Sequence, residues 1–588
     1  MVNAFSDLIP YYSWLYIPIA VLAIVSALKY RKNCRMFASG REKALSLIFG
    51  VLFVLLYASG LVLESGATFT ASSYRFILIS CLLFSAAAGI GYHYVNLFLE
   101  RQFSAGNNPG YLLSRHPMLF PFMTMMICWT PVLLALYPGV FAYDVAGQIP
   151  QRMGTYYVQH PLLHTFFLQA FYRLGREIGS YNNGMALSVV VQMALFALSL
   201  SYSIRYMVRR QIRKSIVIAV LIFFSIVPIF SIMAVSMTKD ILFTAAFNAS
   251  FIKILEMEDR GFRNMRIRDW VSVIILFSLA ALLRSNGKYA VYAMLAAFLI
   301  KSLITRTSLK QTFILVITTV FLIVATDSAL IAATNAAPVN KGEMLGVPYQ
   351  QLARTYRYNE NRFTPEDSEK VHMLLPFVGN YNPHSADGVK WMATVGNSRE
   401  NEKMFWELYF RYLLKKPMRY VEAFLTNTMG YWYLDDISSA EIYGKPKAPD
   451  TPIPDGDITE PLGLFQTFTA ANFGVTHESK FPALDHLIKK LFYLNQYQNL
   501  PVISVLFNMG TYFWLLALSV FYCIQKKKRE AIVPIVFVLA YMATVFGGPC
   551  ALFRYALPHI ACIPALMAMV YKPMPASEES ASAPRTGL

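Results

Sequence analysis

Residues 270–300 read WVSVIILFSLAALLRSNGKYAVYAMLAAFLI, two apolar stretches with only the short polar group RSNGK, residues 284–288, between them. Crossing a bilayer as a helix takes about 20 predominantly apolar residues. Inside hydrocarbon the backbone must satisfy its own hydrogen bonds, which a helix does within one segment. The stretch therefore predicts a helical hairpin that crosses the membrane twice and turns at Arg284.

Working outward, the same reading applies to most of the chain. Spans are expected at roughly 11–29, 44–63, 75–97, 117–138, 183–206, 215–235, 240–257, 270–284, 287–303, 311–333, 500–522, 531–547 and 556–571. That is about thirteen, an all-α polytopic membrane protein. The whole chain is 56% hydrophobic and 15% charged, whereas soluble domains carry about 25% charged residues. The run 11–28 has no positive charge ahead of it and no small-residue cleavage site behind it. It reads as a retained span and not as a signal peptide.

The net charge of +18 sits in short gaps between apolar runs: Lys29, Arg31, Lys32 and Arg35, then Arg205, Arg209, Arg210, Arg213 and Lys214. Arg260, Arg263, Arg266 and Arg268 form a third cluster, and Lys526, Lys527, Lys528 and Arg529 a fourth. This is the positive-inside pattern, and it argues against nucleic acid as a partner. It places the N-terminus outside and the C-terminus inside, and the expected location is the plasma membrane, as a multi-pass chain. Cys34, Cys81, Cys128, Cys523, Cys550 and Cys562 show no disulfide framework and no zinc spacing, so they read as packing residues.

The resulting organisation has additional transmembrane helices at 1–116 and a transmembrane core at 117–333, whose first outer loop is 138–183. An extracytoplasmic mixed domain at 334–499, closing spans at 500–573 and a disordered tail at 574–588 complete it. Within the first outer loop, 161–177 reads as an amphipathic helix in the membrane interface. In the long outer segment, 402–427 has a helical pattern, and the Pro-rich GKPKAPDTPIPDGDITEP, 444–461, reads as loop.

Five outer stretches carry polar residues: 138–183, 236–240, 284–286, 334–499 and 547–555. In YPGVFAYDVAGQIPQRMGTYYVQHPLLHTFF, 137–167, Asp144 follows a Pro-Gly turn at a membrane boundary. Partial dehydration there predicts a raised pKa and a usable general base, the plain alternative being a loop carboxylate that caps a helix. His160 and His164, one turn apart, are read as orienting a substrate oxygen or phosphate and as interface packing, respectively. A metal shared with Asp144 is the less favoured option. In SMTKD, 236–240, Lys239 and Asp240 either pair with each other or meet an anionic headgroup. Arg284 and Arg554 suit a phosphate or carboxylate, which a guanidinium can grip with two hydrogen bonds. Tyr143, Gln148, Asn286 and Tyr555 flank these positions as supporting residues. Tyr349, Tyr356, Tyr358, Trp391, Trp406, Tyr431, Trp432 and Tyr433 fit sugar stacking and an interface belt equally.

The order YPGVFAYD, QHPLLHT, SMTKD, LLRSNG and RYALP resembles the GT-C superfamily of polytopic glycosyltransferases, more narrowly a bacterial branch of it. The resemblance covers roughly 117–330 and the end of the chain. It implies a helical bundle below an outer domain, with Asp144 as catalytic base and HPLL opening a juxtamembrane helix. The implied donor is a polyprenyl-phosphate or polyprenyl-pyrophosphate sugar, its phosphate met by Lys239, Arg284, Arg554 and His160. The acceptor would be an extracytoplasmic glycan, lipid or protein, with membrane lipids as the surroundings. It implies no cofactor, and the single acid at Asp144 makes a divalent metal possible but not favoured. Two other readings stand beside it: a transporter or flippase of a lipid-linked or anionic substrate, and a non-catalytic scaffold. Transporters tend to carry mid-membrane charges and internal repeats, and the sequence presents neither.

Overall fold

The computed structural model describes residues 39–64, 66–104, 111–260, 265–339, 341–435, 447–448, 450–452 and 470–572. The expected span at 11–29, Cys34, most of the Pro-rich stretch and the expected tail at 574–588 lie outside the described residues.

Helices dominate, and the described residues hold isolated β-bridges but no strand. The first two, α1 (Gly40–Leu63) and α2 (Ala71–Ser104), form a hairpin. Then follow α3 (Leu119–Ala135), the short α4 (Tyr143–Gln148), α5 (Leu162–Glu177) and α6 (Tyr181–Arg209). Next come α7 (Lys214–Ile226), α8 (Pro228–Ala234), α9 (Lys239–Arg260), α10 (Ile267–Leu282), α11 (Ser285–Thr305) and α12 (Leu309–Thr334). Residues 334–499 contribute α13 (Gly346–Asn359), α14 (Pro365–Leu374), α15 (Arg399–Lys415), α16 (Pro417–Trp432) and α17 (Pro482–Phe492). The chain closes with α18 (Met509–Lys526), α19 (Ile532–Phe546) and α20 (Phe553–Tyr571).

Seven helices among the described residues are long and apolar enough to cross a membrane, so the chain is an all-α membrane protein. These are α1, α2, α6, α11, α12, α19 with the turn before it, and α20. Where the expected span 215–235 lies, α7 and α8 meet at a 48° bend. Pro228 opens α8 and has no N–H to continue the ladder of α7, which accounts for the break. The expected helix at 402–427 is likewise two helices, parted at Lys416-Pro417. The run 500–522 is interrupted at Asn508, whose side chain caps α18 through the Gly510 N–H.

Burial explains the composition of the individual helices. In α20, 94% of the apolar window is buried, against 17% in α12, so α20 is central and α12 peripheral. α9 is buried almost all round, and it accommodates Asn248 because that amide is bonded to Ser199 and Ser203 on α6. The close pairing of α5 with α6 rests on Gly175 and Gly184, where an added Cβ would meet backbone at 2.5 to 3.0 Å.

Polar contacts collect at the two ends of the bundle. At one end Arg210 pairs with Asp259 at 2.6 Å and donates to the Lys572 carbonyl, while Arg209 pairs with Glu256 at 2.9 Å. At the other end the turn after α19 meets the 334–499 segment: Ala386 N–H donates to the Pro549 carbonyl at 2.8 Å, and Tyr431 O–H to the Cys550 carbonyl at 3.2 Å. The α1–α2 turn joins that end too. Arg354 and Glu422 form a fully buried pair, with Arg354 also donating to the Ala67 carbonyl and Phe69 N–H to Glu422. The α1–α2 hairpin, expected as an addition, is thus tied into the 334–499 segment.

Candidate active site

The segment after α3 turns at Gly139, whose φ of +124° suits glycine. A Cβ there would lie 2.6 Å from Val189 Cγ2 and 2.8 Å from the Val235 carbonyl oxygen. This close approach lets Val140 bridge the turn before α9: its N–H donates to Val235 O at 3.0 Å, and Met237 N–H donates to Val140 O at 2.9 Å. Gln192, on α6, donates to the carbonyls of Ala234 and Ser236 at 2.8 and 2.6 Å. The two turns are therefore fixed face to face, with Asp144 in the first turn of α4 and Lys239 opening α9.

Five side chains then form a chain of alternating charge. Lys239 Nζ donates to Asp144 Oδ2 at 2.9 Å, and the same oxygen accepts from an Arg554 guanidinium nitrogen at 3.3 Å. That Arg554 nitrogen is also 3.6 Å from Asp240 Oδ2, and Asp240 is ion-paired with Arg284. Tyr555 sits between the two arginines, its ring 4.5 Å from the Arg284 guanidinium and its hydroxyl 3.3 Å from Arg554. Side-chain exposure runs from 0% for Asp240 to 16% for Asp144. Three cations thus face two carboxylates with little water between them. A buried excess of positive charge is costly, and an anion relieves it.

Around this chain stand the histidines. Lys239 Nζ is 3.0 Å from His160 Nδ1. His164 Nδ1 is 3.1 Å from Gln148 Nε2, which also donates to Thr165. His160 and His164 therefore point at different partners, and no group of three His, Cys, Asp or Glu among the described residues is arranged to hold a metal. Burial, reinforced at His160 by the Lys239 ammonium, lowers the His160 pKa to about 4 and the His164 pKa to about 3. Both rings are neutral at physiological pH.

Two expectations change here. Lys239 and Asp240 do not pair with each other, because neighbouring residues on a helix point in different directions. Asp144 does not have a raised pKa. Burial pushes its carboxyl up, but Lys239, Arg554 and His160 outweigh that and hold it well below the usual carboxylate range.

The structure brings Asp144, Lys239, Asp240, Arg284, Arg554, Tyr555 and His160 together, with Gln148 and His164 beside them. Asn286 takes no part in these hydrogen bonds and ion pairs. Tyr143 contributes the first residue of α4, and its side chain is outside the described residues. Of the outer aromatics, Tyr349, Tyr356, Tyr431, Trp432 and Tyr433 are core, while Trp391 is 63% exposed. Gln192 was not anticipated, although a glutamine inside the apolar run of α6 is the kind of residue that marks a polar task in a membrane.

A model of a family of unknown function (DUF6020) matches residues 149–584. The match includes Lys239, Asp240, Arg284 and Arg554 and begins just after Asp144. No curated protein and no solved structure matches the chain.

Proposed function

The chain belongs to DUF6020, a family of unknown function, and we propose that this protein is a membrane glycosyltransferase. It moves a sugar from a polyprenyl-phosphate-linked donor to an acceptor hydroxyl on the outer side of the plasma membrane, with inversion. The observation that carries this reading is that one carboxylate, Asp144, lies within hydrogen-bond reach of two buried cations, Lys239 and Arg554. A base and an anion site thereby share one place at one end of a membrane bundle.

In the proposed reaction the acceptor oxygen attacks the anomeric carbon while the bond from that carbon to the phosphate oxygen breaks. The electron pair leaves with the phosphate, and the acceptor proton passes to Asp144. Lys239 and Arg554 neutralise the departing charge, with His160 next to Lys239. Arg284 keeps Asp240 in place and so steadies Arg554. The reading requires no cofactor and no metal. It keeps the topology of about thirteen spans with an extracytoplasmic domain at 334–499, which the positive-inside pattern supports.

The test is a transfer assay on detergent-purified protein, with radiolabelled polyprenyl-phosphate hexoses and an envelope extract as acceptor. Label appearing in a glycosidic product, and absent with Asp144→Asn, is the expected result. Donor that binds but is never transferred by the wild type would end this reading and favour a carrier of anionic lipids.

A further inference from the structure

Asp144 is occupied in the free protein. Its Oδ2 accepts from both Lys239 and Arg554, so this oxygen is turned toward the cations that the donor phosphate would need. An in-line displacement puts the base and the leaving group on opposite faces of the reacting carbon. Lys239 and Arg554 cannot then hold Asp144 and the phosphate at the same time, with a sugar ring in between. One set of contacts has to give way to the other.

Resting on the glycosyltransferase reading, we propose that the donor phosphate is the switch that frees the base: it takes Lys239 and Arg554 as its own partners and so releases Asp144.

Each cation has a second partner that makes this exchange feasible. Lys239 keeps the neutral His160 Nδ1 at 3.0 Å. Arg554 keeps Asp240 Oδ2 at 3.6 Å and the Tyr555 hydroxyl at 3.3 Å. Neither is stranded when Asp144 lets go. Arg284 stays behind, held by Asp240 and stacked on Tyr555. The donor's phosphodiester, with its single negative charge, also offsets the excess positive charge of the five-residue chain. Binding is consequently ordered, donor before acceptor, and the site holds no active base until donor is present. That order protects against proton abstraction from an acceptor or a water with no donor to attack.

The groups facing Asp144 are Lys239, Arg554 and His160, with Arg284, Asp240 and Tyr555 in the next layer, so the exchange is readable at its carboxylate. Full-length protein in detergent is titrated with a sugar-free polyprenyl monophosphate, and separately with inorganic phosphate. Infrared difference spectra follow the carboxylate band that Asp144→Asn removes. The expected result is a shift of that band and a rise of its protonation midpoint by about 1–3 pH units. A response to the lipid alone assigns the anion to a lipid headgroup, and a response to both assigns it to phosphate as such. Lys239→Gln, and Arg554→Lys as a second variant, should display part of the shift with no probe added. Phosphate that binds, seen as thermal stabilisation, while the Asp144 band stays unchanged would overturn the exchange and leave the donor reading intact. Failure of both probes to bind would remove the exchange and the donor reading together.

Discussion

Asp144 and Arg554 are separated by 410 positions in the chain, yet an Arg554 guanidinium nitrogen lies 3.3 Å from an Asp144 carboxylate oxygen. The contact makes the last described helix part of the site. α20 is the most buried of the span-length helices, and its first turn carries Arg554 and Tyr555 into the site. Shifting α20 along its axis by a turn, about 5.4 Å, would break the contact to Asp144.

Replacing Asp144 with Asn should reduce transfer by about 10²–10⁴-fold, the usual contribution of a general base. Folding is expected to survive, since α4 has no side-chain cap and Asp144 is not needed to build it. Lys239 and Arg554 would then face one another with no carboxylate between them. The variant should melt at a lower temperature in phosphate-free buffer and recover when phosphate is added. Wild-type transfer by Asp144→Asn would remove Asp144 from the mechanism.

Acidification acts through the histidines. A histidine whose folded pKa is depressed contributes stability above its unfolded value, about 6.5, and loses it as pH falls toward the folded value. For His160 and His164 that window is 6.5 down to about 4 and about 3. Going from pH 7.5 to pH 5 should then cost about 2 kcal/mol for each ring. Between pH 7.5 and 5 Asp144 adds little, because its carboxyl, held below the usual range by Lys239 and Arg554, gives stability that falls away only below about pH 5, as the unfolded carboxyl takes up its proton. Melting curves of His160→Gln and His164→Gln should each be flatter with pH than the wild type. Equal slopes in all three would rule out these two rings as the source.

Much of the site was legible because a membrane makes polar residues conspicuous. Asp144, Lys239, Arg284 and Arg554 stand at the ends of apolar runs, where a charge is tolerated and noticed. Their pairing was not legible, since sequence order suggests Lys239 with Asp240 and the fold joins Lys239 to Asp144 across 95 residues. The sign of the Asp144 shift escaped for the same reason: a boundary position predicts dehydration, and only three dimensions reveal two cations. Apolar runs located the helices well, but Pro228 and Pro417 set breaks that average hydropathy smooths over. The outer aromatics could not be sorted at all by type, because Tyr349 in a core and Trp391 in solvent look alike in a sequence.

Gly139 offers a test of how the two turns are aligned. An alanine there would adopt an unfavourable positive φ and press its Cβ against Val189 and the Val235 carbonyl. The expected cost is about 1–3 kcal/mol. Relief should come by opening the Val140–Ser236 bridge, which moves Asp144 away from Lys239. Gly139→Ala should therefore lose transfer by more than its melting temperature alone explains. Loss of stability with full activity in the remaining folded protein would show that the bridge does not set the Asp144–Lys239 distance.

The 334–499 segment can be probed through Arg354 and Glu422, both fully buried and 3.0 Å apart. Glu422 also takes Arg419 at 2.8 Å and the Phe69 N–H at 2.7 Å, while Arg354 reaches Gly66, Ala67 and the Tyr381 hydroxyl. Removing one member of a buried pair strands the other, typically at about 3–5 kcal/mol. Glu422→Gln should lower the melting temperature and expose the 66–70 turn to proteolysis, because that turn is held by this pair. The double variant Arg354→Met with Glu422→Leu should recover part of the loss, since neither fully buried charge remains, although Arg419 and the Phe69 N–H still lack their acceptor. Neither variant touches Asp144, Lys239 or Arg554, so folded protein should transfer at the wild-type rate per molecule. An undiminished melting temperature in Glu422→Gln would mean that the turn is anchored by something other than this pair.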